Sequence, residues 1–327
     1  MTEPTFADVL NARRTISKYL RPTPFFKSTP LSKRLGFDAF VKCENLQPIG
    51  AFKVRGGINL ISGLSTDEKK RGVITASTGN HGLSIAYASA LFGVEATIGA
   101  PIGSNPYKIQ AIKDLGARVE LHGKDFDEAR LWVESQARER GCRYIHSANE
   151  PLLIAGVGTL YLEMLEELPD ADAIFVPVGG GSGASAACIV AKAINPSIRV
   201  IGVQSEGAPA VYESWKSGRM VETEKVETFA DGLATRVPFE LTMRIMRRLI
   251  DEILLVSEED LRRAVLLLLE TTHQVAEGAG AASTAGAVKM RQELKGRKVA
   301  LVISGGNLTL EMLRTIIQAN KDSRGPA

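Results

Sequence analysis

The sequence predicts an α/β protein of about two domains, on three observations. Strand-like and helix-like patterns alternate along the whole chain, as expected for mostly parallel sheets flanked by helices. Short apolar runs end in glycine- or hydroxyl-rich turns that open into helices. A length of 327 residues exceeds that of one ordinary domain, and neither low-complexity segments nor internal repeats are present.

In chain order, the first notable element is Gly50-Ala51-Phe52-Lys53-Val54-Arg55-Gly56-Gly57, a lysine set among small residues that allow close backbone approach. A lysine can condense with an aldehyde once burial or its neighbours lower its pKa. A solvated lysine at a helix start is the competing reading. Residues 72–76 read as a buried strand and residues from Asn80 onward as a helix, so Ser77-Thr78-Gly79-Asn80 forms the strand-to-helix turn. Its amides and the helix dipole suit a carboxylate; simple capping of the helix is the equal alternative. Residues 96–101, Arg118–Leu121 and 144–146 complete a compact alternating set with helices between.

Residues 173–178 form an apolar strand, Gly179-Gly180-Gly181-Ser182-Gly183 a loop, and residues 184–193 a helix of small residues. Glycine lets backbone wrap a phosphate, and the helix start favours its charge. A dinucleotide site competes, but the spacing is not G-x-G-x-x-G, and the next strand, 199–203, is followed by Gln204 instead of an acid. No Gly-Lys-Ser/Thr follows either, so the phosphate reading is preferred. Lys298–Ile303 is the last strand and delivers Ser304 to its carboxyl end, where α/β sheets gather ligands.

Composition is that of a globular protein: 44% hydrophobic and 24% charged, with a net charge of +3. No basic run interleaved with aromatics marks a nucleic-acid surface, and the longest apolar run, 264–269, is too short for a membrane span. Cys43, Cys142 and Cys188 lack metal-like spacing and fit reduced thiols of a cytoplasmic protein. Met1 to Asp8 lacks the basic-then-apolar layout of a signal peptide. His122 and His273 stand apart from other ligands and read as structural or surface residues, and residues 321–327 as a frayed tail.

Lys53, the 77–82 turn, the glycine loop and Ser304-Gly305-Gly306-Asn307, in this order, resemble the β-family (fold-type II) of pyridoxal phosphate (PLP) enzymes. The resemblance is nearest to the serine/threonine dehydratase and serine racemase branch. It implies a tryptophan synthase β-like fold, with a small domain (50–150) inserted into a large one (1–49 plus 151–327) and PLP in the interdomain cleft. It implies a homodimer or higher homo-oligomer, with no C-terminal regulatory domain.

The resemblance also implies roles. Lys53 matches the Schiff-base lysine and base; Phe52 and Asn80 match residues beside the cofactor ring. Ser77, Thr78, Gly79, Asn80 and His81 match the loop for the substrate carboxylate. Gly179, Gly180, Gly181, Ser182 and Gly183 match the phosphate cup, in which Ser182 interrupts a run that is all glycine in many relatives. Ser304 matches the partner of the pyridine nitrogen; a hydroxyl cannot hold that nitrogen protonated as a carboxylate would, which favours elimination over racemisation. Glu277 matches an acid near the cofactor or is a helix-cap acid, and Asp231 and Thr235 match a segment near the cleft.

Departures from the pattern carry information too. Gln204, Ala208 and Ala210 stand where relatives hold a divalent ion, so no metal is expected. Val157 replaces a common glutamine, and Thr78 replaces the serine that racemases use as an acid. The implied activity is a PLP-dependent ammonia-lyase acting on L-threonine, then L-serine. Alternatives are a 3-phenylserine dehydratase, a serine racemase or a β-replacement enzyme; a non-catalytic PLP-binding protein and a nucleotide-binding oxidoreductase are readings from other classes.

Overall fold

The computed structural model describes residues 1–77 and 79–324, except the side chains of Asp127 and residues 320–324. Thr78, expected in the carboxylate turn, therefore lies outside the described residues. In chain order the strands are β1 (Phe25–Lys27), β2 (Asp38–Cys43), β3 (Val73–Ala76), β4 (Ala96–Ala100), β5 (Arg118–Leu121) and β6 (Arg143–Tyr144). They continue with β7 (Ala173–Pro177), β8 (Arg199–Ser205), β9 (Glu252–Val256) and β10 (Lys298–Ile303). The chain divides into two units, Met1–Arg21 with Phe52–Thr159, and Pro22–Ala51 with Leu160–Ala327.

The first unit holds a four-stranded parallel sheet in the order β5-β4-β3-β6. β3 is buried along its whole length, as an interior parallel strand should be. Ile74 and Ala76 pack against Val133 and Ala137 of the helix Phe126–Arg140, with Trp132 and Tyr144 at the margin. His122 stacks on Trp132 with ring centroids 5.0 Å apart, which accounts for it structurally.

Residues 1–21 belong to this unit, whereas the expected division placed them with residues 22–49. The helix Phe6–Ile16 buries Val9, Ala12 and Ile16 and packs on the helix Lys53–Ser62. Tyr19 sets its ring edge on Phe92 at 5.1 Å. Which body would receive that apolar stripe is a tertiary choice that helix periodicity does not encode.

The second unit holds a six-stranded sheet in the order β1-β2-β10-β7-β8-β9. β1 runs antiparallel at one edge and all other pairs are parallel. Leu301 of β10 pairs with Val41 on one side and Phe175 on the other. The core joins Phe175, Ile201, Val203, Leu301 and Ile303 to Ala281, Ala282 and Ala285 of the helix Gly278–Lys289. Cys43 and Cys188 are buried free thiols; desolvation pushes Cys43 up to about 12 and raises Cys188 further. The helix Leu310–Arg324 continues through most of the expected frayed tail, and residues 325–327 lie outside the described residues. No helix among the described residues is long and apolar enough to cross a membrane.

Candidate active site

Lys53 is the first residue of a helix in which every position from Val54 to Ile61 is buried. Its amine donates to Ser147 O at 3.4 Å and lies 5.3 Å from the centroid of the half-buried Phe52 ring. Burial pushes that amine down from 10.5 to about 8, because a buried ammonium loses hydration. Ser84 Oγ on the neighbouring helix Asn80–Phe92 donates to Lys53 O at 2.6 Å, fixing the backbone that carries the amine.

The turn after β3 is held by its own serine. Ser77 Oγ accepts from Gly79 N at 3.1 Å and Gly82 N at 2.8 Å, so its side chain is the helix cap. His81 Nε2 lies 2.9 Å from Thr75 Oγ1, whose own proton goes to Ile145 O at 2.7 Å. The His81 proton is therefore on Nε2, and its buried Nδ1 is a lone pair with no partner among the described residues. Burial, then the nearby Lys53 and His146, hold His81 well below the usual histidine range. Its ring has no proton to offer a carboxylate, so any contribution to such a ligand comes from its backbone amide.

His146 was not singled out from the sequence, yet it shapes the acceptor beside Lys53. Its Nδ1 accepts from Ala148 N and Asn149 N, each at 3.0 Å, which closes a turn around Ser147. Burial pushes His146 down to about 4, keeping the acceptor nitrogen unprotonated. The signal available in sequence was His146-Ser147-Ala148-Asn149-Glu150-Pro151, a turn-rich stretch ending in proline.

In the second unit the glycine loop and Ser304 sit at the carboxyl ends of the paired parallel strands β7 and β10. The helix begins at Ser182, not at residue 184, so Ser182 and Gly183 are its first-turn residues. Helix-start amides need no intrahelical partner, so a glycine there does not end the helix. Gly181 caps it with φ +87°, a left-handed conformation that favours glycine. Thr242, which the sequence gave no reason to select, donates from Oγ1 to Gly180 O at 2.8 Å. A Cβ on Gly179 would run into Gly232 O, so the Asp231–Leu233 turn abuts the loop.

Ser304 is buried, with Oγ 3.4 Å from Ala279 O. The turn it opens is held by three further bonds: Glu277 N to Gly305 O at 3.0 Å, Gly306 N to Gly50 O at 2.9 Å, and Asn307 Nδ2 to Ile49 O at 2.9 Å. Glu277 occupies the N-cap position of the helix Gly278–Lys289, but its carboxylate makes no capping bond. Gln204 is buried and its Oε1 accepts from Tyr212 N at 2.8 Å, so the amide caps a helix start. Val157 is buried, and His273 ends a helix with φ 57°.

Comparison with known proteins agrees with this geometry. Residues 16–305 match the family described as pyridoxal-phosphate dependent enzyme. The chain is 42% identical to an L-threonine ammonia-lyase of Thermotoga maritima, over 96% of this chain and 78% of that protein. It is similar in structure to the processed form of threonine deaminase isoform 2 from Solanum lycopersicum, with a TM-score of 0.92, 32% identity, and coverage of 97% of this chain and 95% of that one. Maize serine racemase is likewise similar, with a TM-score of 0.92, 30% identity, and coverage of 99% and 100%. By family match, sequence identity and fold, the chain belongs to the pyridoxal-phosphate dependent enzymes.

Proposed function

We propose that this protein is a PLP-dependent ammonia-lyase that converts L-threonine, and secondarily L-serine, to the 2-oxo acid and ammonia. The observation that carries the reading is Lys53, an amine lowered to about 8 at the start of a buried helix. The chain's residues fit the cofactor on three counts. They offer an amine of lowered pKa, a glycine-rich loop opening the helix Ser182–Ile194 at the end of β7, and a buried hydroxyl at the end of β10.

Bound PLP supplies an aldehyde carbon for exchange with the substrate amine and an electron-withdrawing ring next to the substrate Cα. Lys53 would hold the cofactor aldehyde, and its Nζ would be the base for the Cα proton. A lowered pKa keeps a useful fraction of the amine neutral for both tasks. The segment of Ser77, Gly79, Asn80 and His81 would hold the substrate carboxylate at the start of the helix Asn80–Phe92, aided by the helix dipole, with Asn80 and His81 as the donors, because Ser77 N is bonded to Gly99 O and Gly79 N to Ser77 Oγ. Amides of Gly179, Gly180, Gly181, Ser182 and Gly183 would hold the phosphate. Phe52 and Asn80 would hold the ring, and Ser304 would serve its nitrogen, with Glu277 as a further polar residue of the site. Because Ser304 offers a hydroxyl and not a carboxylate, it would not hold that nitrogen protonated, which would favour elimination over racemisation.

The test is release of 2-oxo acid and ammonia by PLP-loaded protein from L-threonine, L-serine and L-threo-3-phenylserine, with Lys53→Ala as control. Release from threonine that vanishes in the control is expected; PLP binding without release from any substrate would overturn the reading. The likeness to maize serine racemase favours one second reading, racemisation, and D-serine formation measured alongside would reveal it. We also propose a cytoplasmic homodimer or larger homo-oligomer. The three free cysteines support a reducing compartment, and sedimentation of the holoenzyme tests the assembly.

A further inference from the structure

We infer that Thr242, 62 residues from the glycine it bonds, is a positioning residue that aims the Gly181 amide at the cofactor phosphate. The inference rests on the reading of residues 179–183 as the phosphate cup. Thr242 lies in the helix Glu240–Leu249, is completely buried, and donates from Oγ1 to Gly180 O at 2.8 Å. The same hydroxyl is 3.2 Å from Phe239 O, one turn back in its own chain, so its orientation is restricted from two sides.

The consequence follows from peptide geometry. In a planar trans peptide, the carbonyl of one residue and the N–H of the next point in opposite directions. No cis bond interrupts this stretch. Drawing Gly180 O down onto Thr242 therefore turns the Gly181 N–H away from the helix Glu240–Leu249. Gly181 then adopts φ +87°, and the helix Ser182–Ile194 begins. Successive amides arranged this way form a concave nest for an anion.

Packing holds the same choice in place. An added Cβ on Gly181 would come within 2.8 Å of Met246 Cε and 3.0 Å of Thr242 Cβ, so the loop sits directly on this helix. Ser185 Oγ returns a bond to Thr242 O at 3.3 Å, tying the first turn of the phosphate-side helix to the same residue. Without the hydroxyl, Gly180 O loses its donor and the Gly180–Gly181 peptide is free to rotate, while Lys53 is untouched. The loss should therefore fall on the phosphate and not on the aldehyde.

The experiment compares binding of PLP and of pyridoxal, which lacks the phosphate, to the apoprotein. Thr242→Val and Thr242→Ala should each lower the preference for PLP over pyridoxal by about tenfold, the worth of one hydrogen bond to a charged ligand's site. Thr242→Ser should keep the wild-type preference. The phosphorus NMR shift of bound PLP should move in the Val and Ala variants and not in Ser. Equal weakening of both ligands, or an unchanged preference in Val and Ala, would overturn the inference and leave Thr242 a structural residue. A wild-type protein with no preference for PLP would instead overturn the phosphate-cup reading itself.

Discussion

Replacing Lys53 with methionine should make the apoprotein more stable while abolishing its chemistry. Wild-type Lys53 carries a proton at neutral pH in a place that pushes its pKa from 10.5 down to about 8. That shift corresponds to about 3 kcal/mol against the folded state, at 1.36 kcal/mol per pKa unit. Methionine fills similar volume without charge, at the loss of the 3.4 Å bond to Ser147 O, which contributes about 1 kcal/mol. A net gain of about 2 kcal/mol is expected for Lys53→Met at pH 7. Since the unfolded lysine binds its proton more tightly than the folded one, the cost is fully present below pH 8 and relieved as pH rises toward 10.5. Wild-type stability should therefore climb across that window, and the variant should lack this climb. Urea unfolding of both apoproteins at pH 7 and near pH 10 measures the gap. A variant no more stable than wild type at pH 7, or a gap that does not narrow with pH, would refute a strained amine at this position.

Three further outcomes are expected. Gly280→Ala would drive a Cβ into Gly305 O, pushing the Ser304 turn off its helix; about 1–3 kcal/mol of stability should be lost, and PLP titration should show weaker binding. Lys42→Met removes the buried ammonium that faces Glu163 Oε2 at 2.6 Å, and chemical unfolding should show a loss of about 3–5 kcal/mol, largely recovered by adding Glu163→Leu. His146 is lowered from 6.5 to about 4, so its unfolded form binds protons more tightly as pH falls below 6.5. Thermal unfolding of wild type should lose up to about 3 kcal/mol from this group by pH 4, and His146→Gln should show a correspondingly flatter acid limb.

What the sequence revealed was local. The turn at Ser77, the glycine loop and Ser304 could be read because apolar runs and their punctuation lie within a few residues of each other. The strand readings were correspondingly close: residues 173–178 against Ala173–Pro177, and 96–101 against Ala96–Ala100. The helix start at Ser182 was placed two residues late because Gly183 reads as loop, although a first-turn glycine loses no hydrogen bond there. Thr242 was invisible for a different reason. Its partner Gly180 is 62 residues away, and the bond arises only when two helices pack side by side. His146 shows the same limit, since a histidine at a strand end carries no mark that both amides will fold back onto Nδ1. The side on which residues 1–21 pack is a tertiary decision of the same kind.

The contrast among the three thiols has a practical consequence. With Cys43 and Cys188 sealed in the second unit and held protonated, neither offers thiolate to an electrophile near neutral pH. Cys142 is partly exposed and lies just before β6, four residues ahead of His146. The native chain thus presents one addressable handle for a maleimide dye, with no engineering of the buried cysteines. A fluorophore there would label the first unit alone, at the start of β6.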